Sequence, residues 1–343
     1  MSRRRALARY LAARLALVPV MLLLIASLVF LLLRVAPGDP VDAVLGTRAP
    51  EAARAALRSQ LGLDQPLLLQ YGHFLLNLLR GDLGESLNSQ EPVSRIIGQS
   101  LPASLELGLT ALLLAAVLGL AVGFSGIARP EGKLDLAGRL YGIGTYALPP
   151  FWAAMVVQLI FAVWLGWLPV GGRFPATLLP PQGSGFYLLD SLLSGLGGGN
   201  WQQLGGAVRH LVLPACTLAL LLSGIFTNAL RLNLRRALAS DYVEAARSRG
   251  LSETRVVLRH ALPNALLPVL TITGITVASL IGGALLIEVT YSWPGIAFRL
   301  QEAIGQRDYP LVQGIVVVVA ALVVLVSVTV DILVAVLDPR IRF

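Results

Sequence analysis

Asp241–Pro263, DYVEAARSRGLSETRVVLRHALP, is the one long charged stretch lying between apolar runs, and its reading decides how the rest is arranged. It reads as two short helices separated by a glycine. Asp241 stands where a helix takes its N-cap, with Glu244 three residues on as a capping-box partner. Gly250 supplies a left-handed residue to end that helix, and apolar Leu251 comes next, where a Schellman motif places a hydrophobic contact. Ser252 caps the second helix, and Pro263 marks its end or the start of the next apolar run. A chain that only had to cross a bilayer needs no capped helix pair here. The pair is therefore predicted to be gripped by something outside the membrane, with Ala245 and Ala246 as a small face that lets a partner approach.

The apolar runs on either side set the class. The chain has 343 residues, of which 56% are hydrophobic and only 13% charged, too little charge for a soluble domain of this length. A formal net charge of +8 raises nucleic acid as a partner, but the arginines cluster beside the ends of apolar runs, which is the positive-inside pattern and not a binding stripe. No nucleic acid is expected; membrane lipid is. The single cysteine, Cys216, lies in an apolar run and is expected to be a small buried residue, and one cysteine makes neither an intrachain disulfide nor a cysteine metal cluster.

Six spans are predicted: Leu15–Leu33, Leu107–Ala128, a third beginning near Leu140, Leu211–Leu230, Leu266–Ile287 and Leu311–Leu337. The first is longer than the apolar core of a cleaved signal peptide and is read as a retained helix. Residues 1–34 then form an N-terminal segment with the first span, 35–100 an external helical section, and 101–343 a core with an external insertion at 171–209 and an internal loop at 231–263. Within the external section, helices are expected from Pro50 to about Gln60 and from Pro66 to Leu79. The second of these carries a Leu67, Tyr71, Phe74, Leu75, Leu78, Leu79 stripe that packs in a small external subdomain or lies on the membrane. In the insertion, Pro180-Pro181 and the glycine-rich run 195–206 point to irregular backbone. Segments assigned to the inner side hold 17 of the 27 Lys and Arg, which places both termini inside.

Enzyme chemistry has little to stand on, and no catalytic or metal-ligating residue is assigned. His73, His210 and His260 are not spaced with other residues as a metal or hydrolase site requires. Glu106 and Asp331 are the acids nearest the spans and each needs a partner or an interfacial position. A phosphate-binding loop needs a lysine after a Gly-rich turn with Ser or Thr next; the only lysine, Lys133, precedes Leu134. If ATP drives this protein, another polypeptide hydrolyses it, and this chain binds no cofactor of its own. Adjacent prolines in Pro149-Pro150-Phe151-Trp152 free backbone carbonyls that lipid does not satisfy, so this face is predicted to look into a pathway, with a plain packing kink as the alternative. Gly282, Gly283 and Glu288 are further candidates for the pathway wall.

Glu244-Ala245-Ala246, then Gly250, and a closing Leu262-Pro263 resemble the EAA loop of ABC importer permeases. His260 stands where that motif usually has isoleucine. Leu33–Pro40 (LRVAPGDP), Leu79–Gly84 (LRGDLG), Leu101–Glu106 (LPASLE), Leu165–Val170 (LGWLPV), Arg307–Pro310 (RDYP) and Leu337–Arg342 (LDPRIR) narrow the resemblance to the dipeptide/oligopeptide branch. The resemblance implies an all-α polytopic protein with the type I importer fold and a cytoplasmic coupling helix, in the bacterial inner membrane. It implies docking of an ATPase subunit at Asp241, Tyr242, Glu244, Ala245, Ala246, Arg249, Gly250, Leu251, His260, Leu262 and Pro263. The implied partners are a second, homologous permease subunit, two ATPase subunits that bind ATP and magnesium, and an extracytoplasmic substrate-binding protein. A stand-alone secondary transporter and a membrane scaffold for a soluble partner are the rival readings.

Overall fold

The computed structural model describes residues 3–35, 40–46, 49–126 and 132–337, and every regular element there is a helix. The motif residues 36–39, residues 127–131 after the second span, and the terminal 338–343 lie outside the described residues. In chain order the helices begin with α1 (Arg3–Val35), α2 (Pro40–Leu45), α3 (Glu51–Gln60), α4 (Leu67–Leu79), α5 (Val93–Phe124), α6 (Lys133–Ala147) and α7 (Pro150–Gln158). They continue with α8 (Tyr187–Leu196), α9 (Trp201–Leu238), α10 (Asp241–Ser248), α11 (Glu253–Arg255), α12 (Leu262–Gly283), α13 (Leu285–Thr290), α14 (Ile296–Gly305) and α15 (Tyr309–Leu337). Single π-helical turns come after α7 and α11, at Leu159–Trp164 and Val256–Ala261.

Among the described residues, five helices are long and apolar enough to cross a bilayer, and a sixth crossing results if α6 and α7 with its π turn count as one broken span. Those two limbs meet at 102°, so Pro149-Pro150 does not kink a continuous third span. The prolines end one helix and start another, because Pro150 sits at the first position of α7, where its missing N–H costs nothing. The second and fourth spans are among those that begin well before their apolar runs. The second starts at Val93 and not Leu107, and the fourth at Trp201 and not Leu211, where the Asn200 side chain accepts the Gln202 N–H at 2.8 Å as its N-cap. The glycine-rich run is accordingly irregular only before Trp201, and Gly205 and Gly206 are helical.

Cys216 is exposed on α9, against expectation. Its neighbours Ala215 and Thr217 are buried, and an apolar span turns some side chains outward whatever its composition.

The main core lies between α5, α9 and the start of α12, with Leu107, Ala111, Phe226, Leu230, Leu234 and Ala261 enclosed. Close approach is built from small residues. A Cβ on Gly119 would collide with the Ser223 carbonyl, and Thr227 donates to the Gly119 carbonyl at 3.1 Å. Along the α6–α9 contact, Gly224 meets Thr145 in the same way. Gly224→Ala is expected to destabilise the bundle by about 1–3 kcal/mol through overpacking, read as a lower melting midpoint in detergent; an unchanged midpoint would show that α6 yields freely.

At the end opposite α10, buried polar groups fasten the elements between the spans to α5. Glu106 pairs with Arg173 at 2.7 Å and accepts the Leu188 N–H at 2.6 Å. Two residues earlier, Ser104 donates to Glu288 at 2.5 Å and accepts the Ile296 N–H at 2.7 Å. The Trp293 indole donates to the Ala103 carbonyl at 2.9 Å. The α4 stripe packs in part on α1: Phe74 and Leu78 meet Ala26 and Val29, and Phe30 lies 5.5 Å from the Phe74 ring. Leu67 and Leu79 stay exposed. Asp331 finds its partner in Arg14 at 3.0 Å, which closes α15 against α1.

Candidate functional site

The helix α10 is a short amphipathic element set two residues beyond the end of α9. Ser240, not Asp241, is its N-cap, and no side chain bonds the first turn; the Ser240 hydroxyl instead donates to the Ala237 carbonyl at 2.5 Å. Asp241 and Glu244 occupy the first turn, where negative charge complements the helix dipole. Val243 and Ala246, three apart, point inward and join the core that holds Leu234, Ala237, Val256 and Ala261. Asp241, Tyr242, Glu244, Ala245 and Arg249 are exposed. The two alanines thus divide: Ala246 packs within the chain and Ala245 presents a small surface outward.

Gly250 ends the helix with φ +74, and its N–H donates to the Arg247 carbonyl at 2.9 Å. Leu251 then turns back onto the main core. Arg247 and Glu253 bridge the turn in a two-point contact of 2.8 and 3.2 Å. That hydrogen bonding raises the Arg247 pKa, as expected of a charge pair on an open surface.

Beyond Leu251 the chain does not form a second, separate helix. Ser252 occupies the N-cap position of α11, but the helix runs on through the π turn into α12 as one continuous rod. Pro263 has no N–H for the Arg259 carbonyl, and the chain answers with a wider turn in which the Leu262 N–H reaches the Val257 carbonyl. His260 and Leu262, both half-buried, lie at this turn, and Pro263 is exposed. A proline that reads as a boundary is instead the site of a π bulge, and α10 is wedged between the end of α9 and the π turn that leads into α12.

Of the candidate pathway residues, Pro150 lines a groove of about 420 Å³ between α6, α9 and α12, walled by Thr145, Leu218, Leu222, Ile272, Thr276 and Leu280. Pro149, Phe151 and Trp152 are exposed beside it. Glu288 is fully buried, with its carboxylate accepting from Ser104 and, at 2.9 Å, from the Phe298 N–H at the start of α14. The surroundings of Gly282 and Gly283 lie outside the described residues.

Residue spacing did not reveal a buried charge cluster near α10. Asp135, at the start of α6, is bonded by Arg231 and, at 2.7 and 3.0 Å, by Arg235 of α9, with Arg139 at 2.8 Å. Arg231 is as enclosed as the acid and also donates to the Asp135 carbonyl at 2.9 Å. The partners on α9 stand about a hundred residues away in sequence, so only the fold brings them to the acid. The one readable signal was Asp135 itself, an acid opening a helix amid basic residues.

A bundle of membrane-crossing helices with a short, outward-facing helix set at one end is an arrangement that suits a transporter's membrane subunit. The chain belongs to the family described as "Binding-protein-dependent transport system inner membrane component", whose sequence model matches residues 98–343. The N-terminal membrane component model of the same transport systems matches residues 7–108. The di/tripeptide transport system permease protein DppB of Pseudomonas aeruginosa is 42% identical over 317 residues, spanning 92% of this chain and 93% of its own length. The glutathione transport system permease protein GsiC of Salmonella choleraesuis is 33% identical over 322 residues, 94% of this chain and 95% of its own. A solved amino acid ABC transporter chain superposes with a TM-score of 0.47 at 15% identity, covering 72% of this chain and 95% of its own. The chain is therefore a multi-pass inner-membrane permease subunit.

Proposed function

We propose that this chain forms half of the pathway of an ATP-driven importer of short peptides, pairing with a second, non-identical permease subunit. Two ATPase subunits supply the energy and an extracytoplasmic binding protein delivers the cargo. Both termini and α10 face the cytoplasm, in keeping with the basic residues at that end. The outward face of α10, with Tyr242, Glu244, Ala245 and Arg249, is where an ATPase subunit docks. The observation that carries this reading is a small polar helix fixed from behind by Val243 and Ala246, so that a push on its outer face is passed to α9 and α12. Peptide cargo is supported by the similarity to the di/tripeptide permease, and the groove beside Pro150 is the pathway wall. Nucleotide shifts the pore because ATPase closure has different contacts with the two states of α10.

The test is uptake of a labelled dipeptide into proteoliposomes holding both permeases and both ATPase subunits, with the binding protein outside. ATP enclosed in the vesicle is expected to drive uptake, and omission of the binding protein to abolish it. Accumulation by this chain alone under an ion gradient would overturn the proposal in favour of secondary transport.

A further inference from the structure

If displacement of α10 is to reach the pathway wall, something must fix α9 to the broken third span. The contact between α6 and α9 is such a fastening along its whole length. At the α10 end, Arg231 and Arg235 hold Asp135, and Arg231 also donates to the Ser125 carbonyl at the end of α5 at 3.3 Å. Further along, Gly138 leaves space only for the Arg231 guanidinium, and Gly142 only for Asn228, which donates to the Gly142 carbonyl at 3.3 Å. Beyond these, Tyr141 and Ser223 share a hydrogen bond of 2.6 Å, and Thr145 lies against Gly224. The open space lies elsewhere, in the groove between this pair and α12.

We propose that Asp135, clamped by Arg231 and Arg235, is a positioning residue that makes α6 and α9 move as one body during the transport cycle, carrying displacement of α10 to the Leu148–Pro150 break. The proposal rests on the peptide-importer reading of the chain. Arg235 lies five residues before the Ser240 cap of α10, so the clamp sits at the root of the docking helix. A buried ion pair is a poor way to gain stability compared with apolar packing of the same volume. Its contribution is direction: two guanidinium groups of α9 fix the axial position of α6, which sliding apolar contacts leave free. Closely packed seams do not deform continuously, so the change in shape is thrown onto the α12 side.

Asp135→Asn keeps the shape and removes the charge. In the reconstituted importer with both permeases and both ATPase subunits it is expected to leave ATPase subunits bound and hydrolysing while uptake per ATP falls ~10-fold, with Asp135→Glu restoring most of it. Uptake per ATP unchanged in Asp135→Asn would overturn the clamp. A second measurement needs no variant of the cluster. In a Cys216→Ser background, spin labels at Leu136→Cys and Leu232→Cys report α6 against α9, and labels at Leu232→Cys and Leu270→Cys report α9 against α12. Adding ATP is expected to move the first pair by less than about 1 Å and the second by more than about 2 Å. The reverse order overturns the proposal, even should Asp135→Asn fail to assemble. Absence of ATP-driven uptake by the unaltered importer would instead count against the proposed function, and the label distances would still judge the clamp.

Discussion

Replacing Gly250 with proline is expected to separate ATP hydrolysis from uptake, whereas alanine at the same position leaves the two nearly coupled. Gly250 has φ +74 and donates its N–H to the Arg247 carbonyl at 2.9 Å. Proline fixes φ near −65° and has no N–H, so it removes both features; it also disfavours the near-helical backbone of Arg249 before it, φ −80 and ψ 4. A loss of about 3 kcal/mol in the native turn corresponds to a ~100-fold fall in the population of α10 that presents Glu244 and Ala245 correctly. Alanine is different because no atom lies within 4 Å of where its Cβ would stand. It meets only the left-handed backbone penalty of about 1 kcal/mol. Pull-down of ATPase subunits and uptake per ATP separate the cases: Gly250→Pro loses both, Gly250→Ala keeps both within a few fold. Glu244→Ala, which leaves the helix intact, is expected to weaken docking alone. Equal coupling in Gly250→Pro and the parent would mean that α10 is not the docking element.

The same segment separates features legible in the chain from features that are not. The glycine stop at Gly250 and the inward return of Leu251 obey local rules, and the structure has both. Local rules place the N-terminal cap one residue late, because Ser240 and Asp241 are equally good capping residues and only packing of Val243 and Ala246 fixes the helix phase. They also close the second helix at Pro263, since sequence punctuation does not announce that a π turn absorbs a proline.

A similar limit governs the spans. Apolar runs mark where the chain crosses the bilayer, but hydropathy does not see a helix once it leaves the membrane. The first turns of α5 carry Arg95, Gln99 and Pro102, yet Ile96, Ile97 and Ala103 keep the helical spacing and are buried, with Ile96 and Ile97 packed on the α14–α15 side. The extension matters because it brings Ser104 and Glu106 level with α13 and α8, the elements they bond. The residue that Glu106 meets is not written locally, since Arg173 lies 67 positions further on.

Arg173→Ala is accordingly expected to have the largest effect on stability of any single change at that end. The guanidinium is buried, pairs with Glu106 at 2.7 Å, donates to the Gly185 carbonyl at 2.6 Å and stacks 3.8 Å over the Tyr187 ring. Its removal strands the enclosed Glu106 carboxylate, and leaving one member of a buried pair alone costs about 3–5 kcal/mol. The insertion should then detach between residues 171 and 196, seen as faster proteolysis there and a lower melting midpoint in detergent. Replacing both partners by apolar residues of similar size, Glu106→Leu with Arg173→Met, removes the stranded charge and should recover part of the loss. This ordering separates a pair that fastens the insertion from one that merely sits beneath it. A single variant as stable and as protease-resistant as the parent would show that α8 is held without the ion pair.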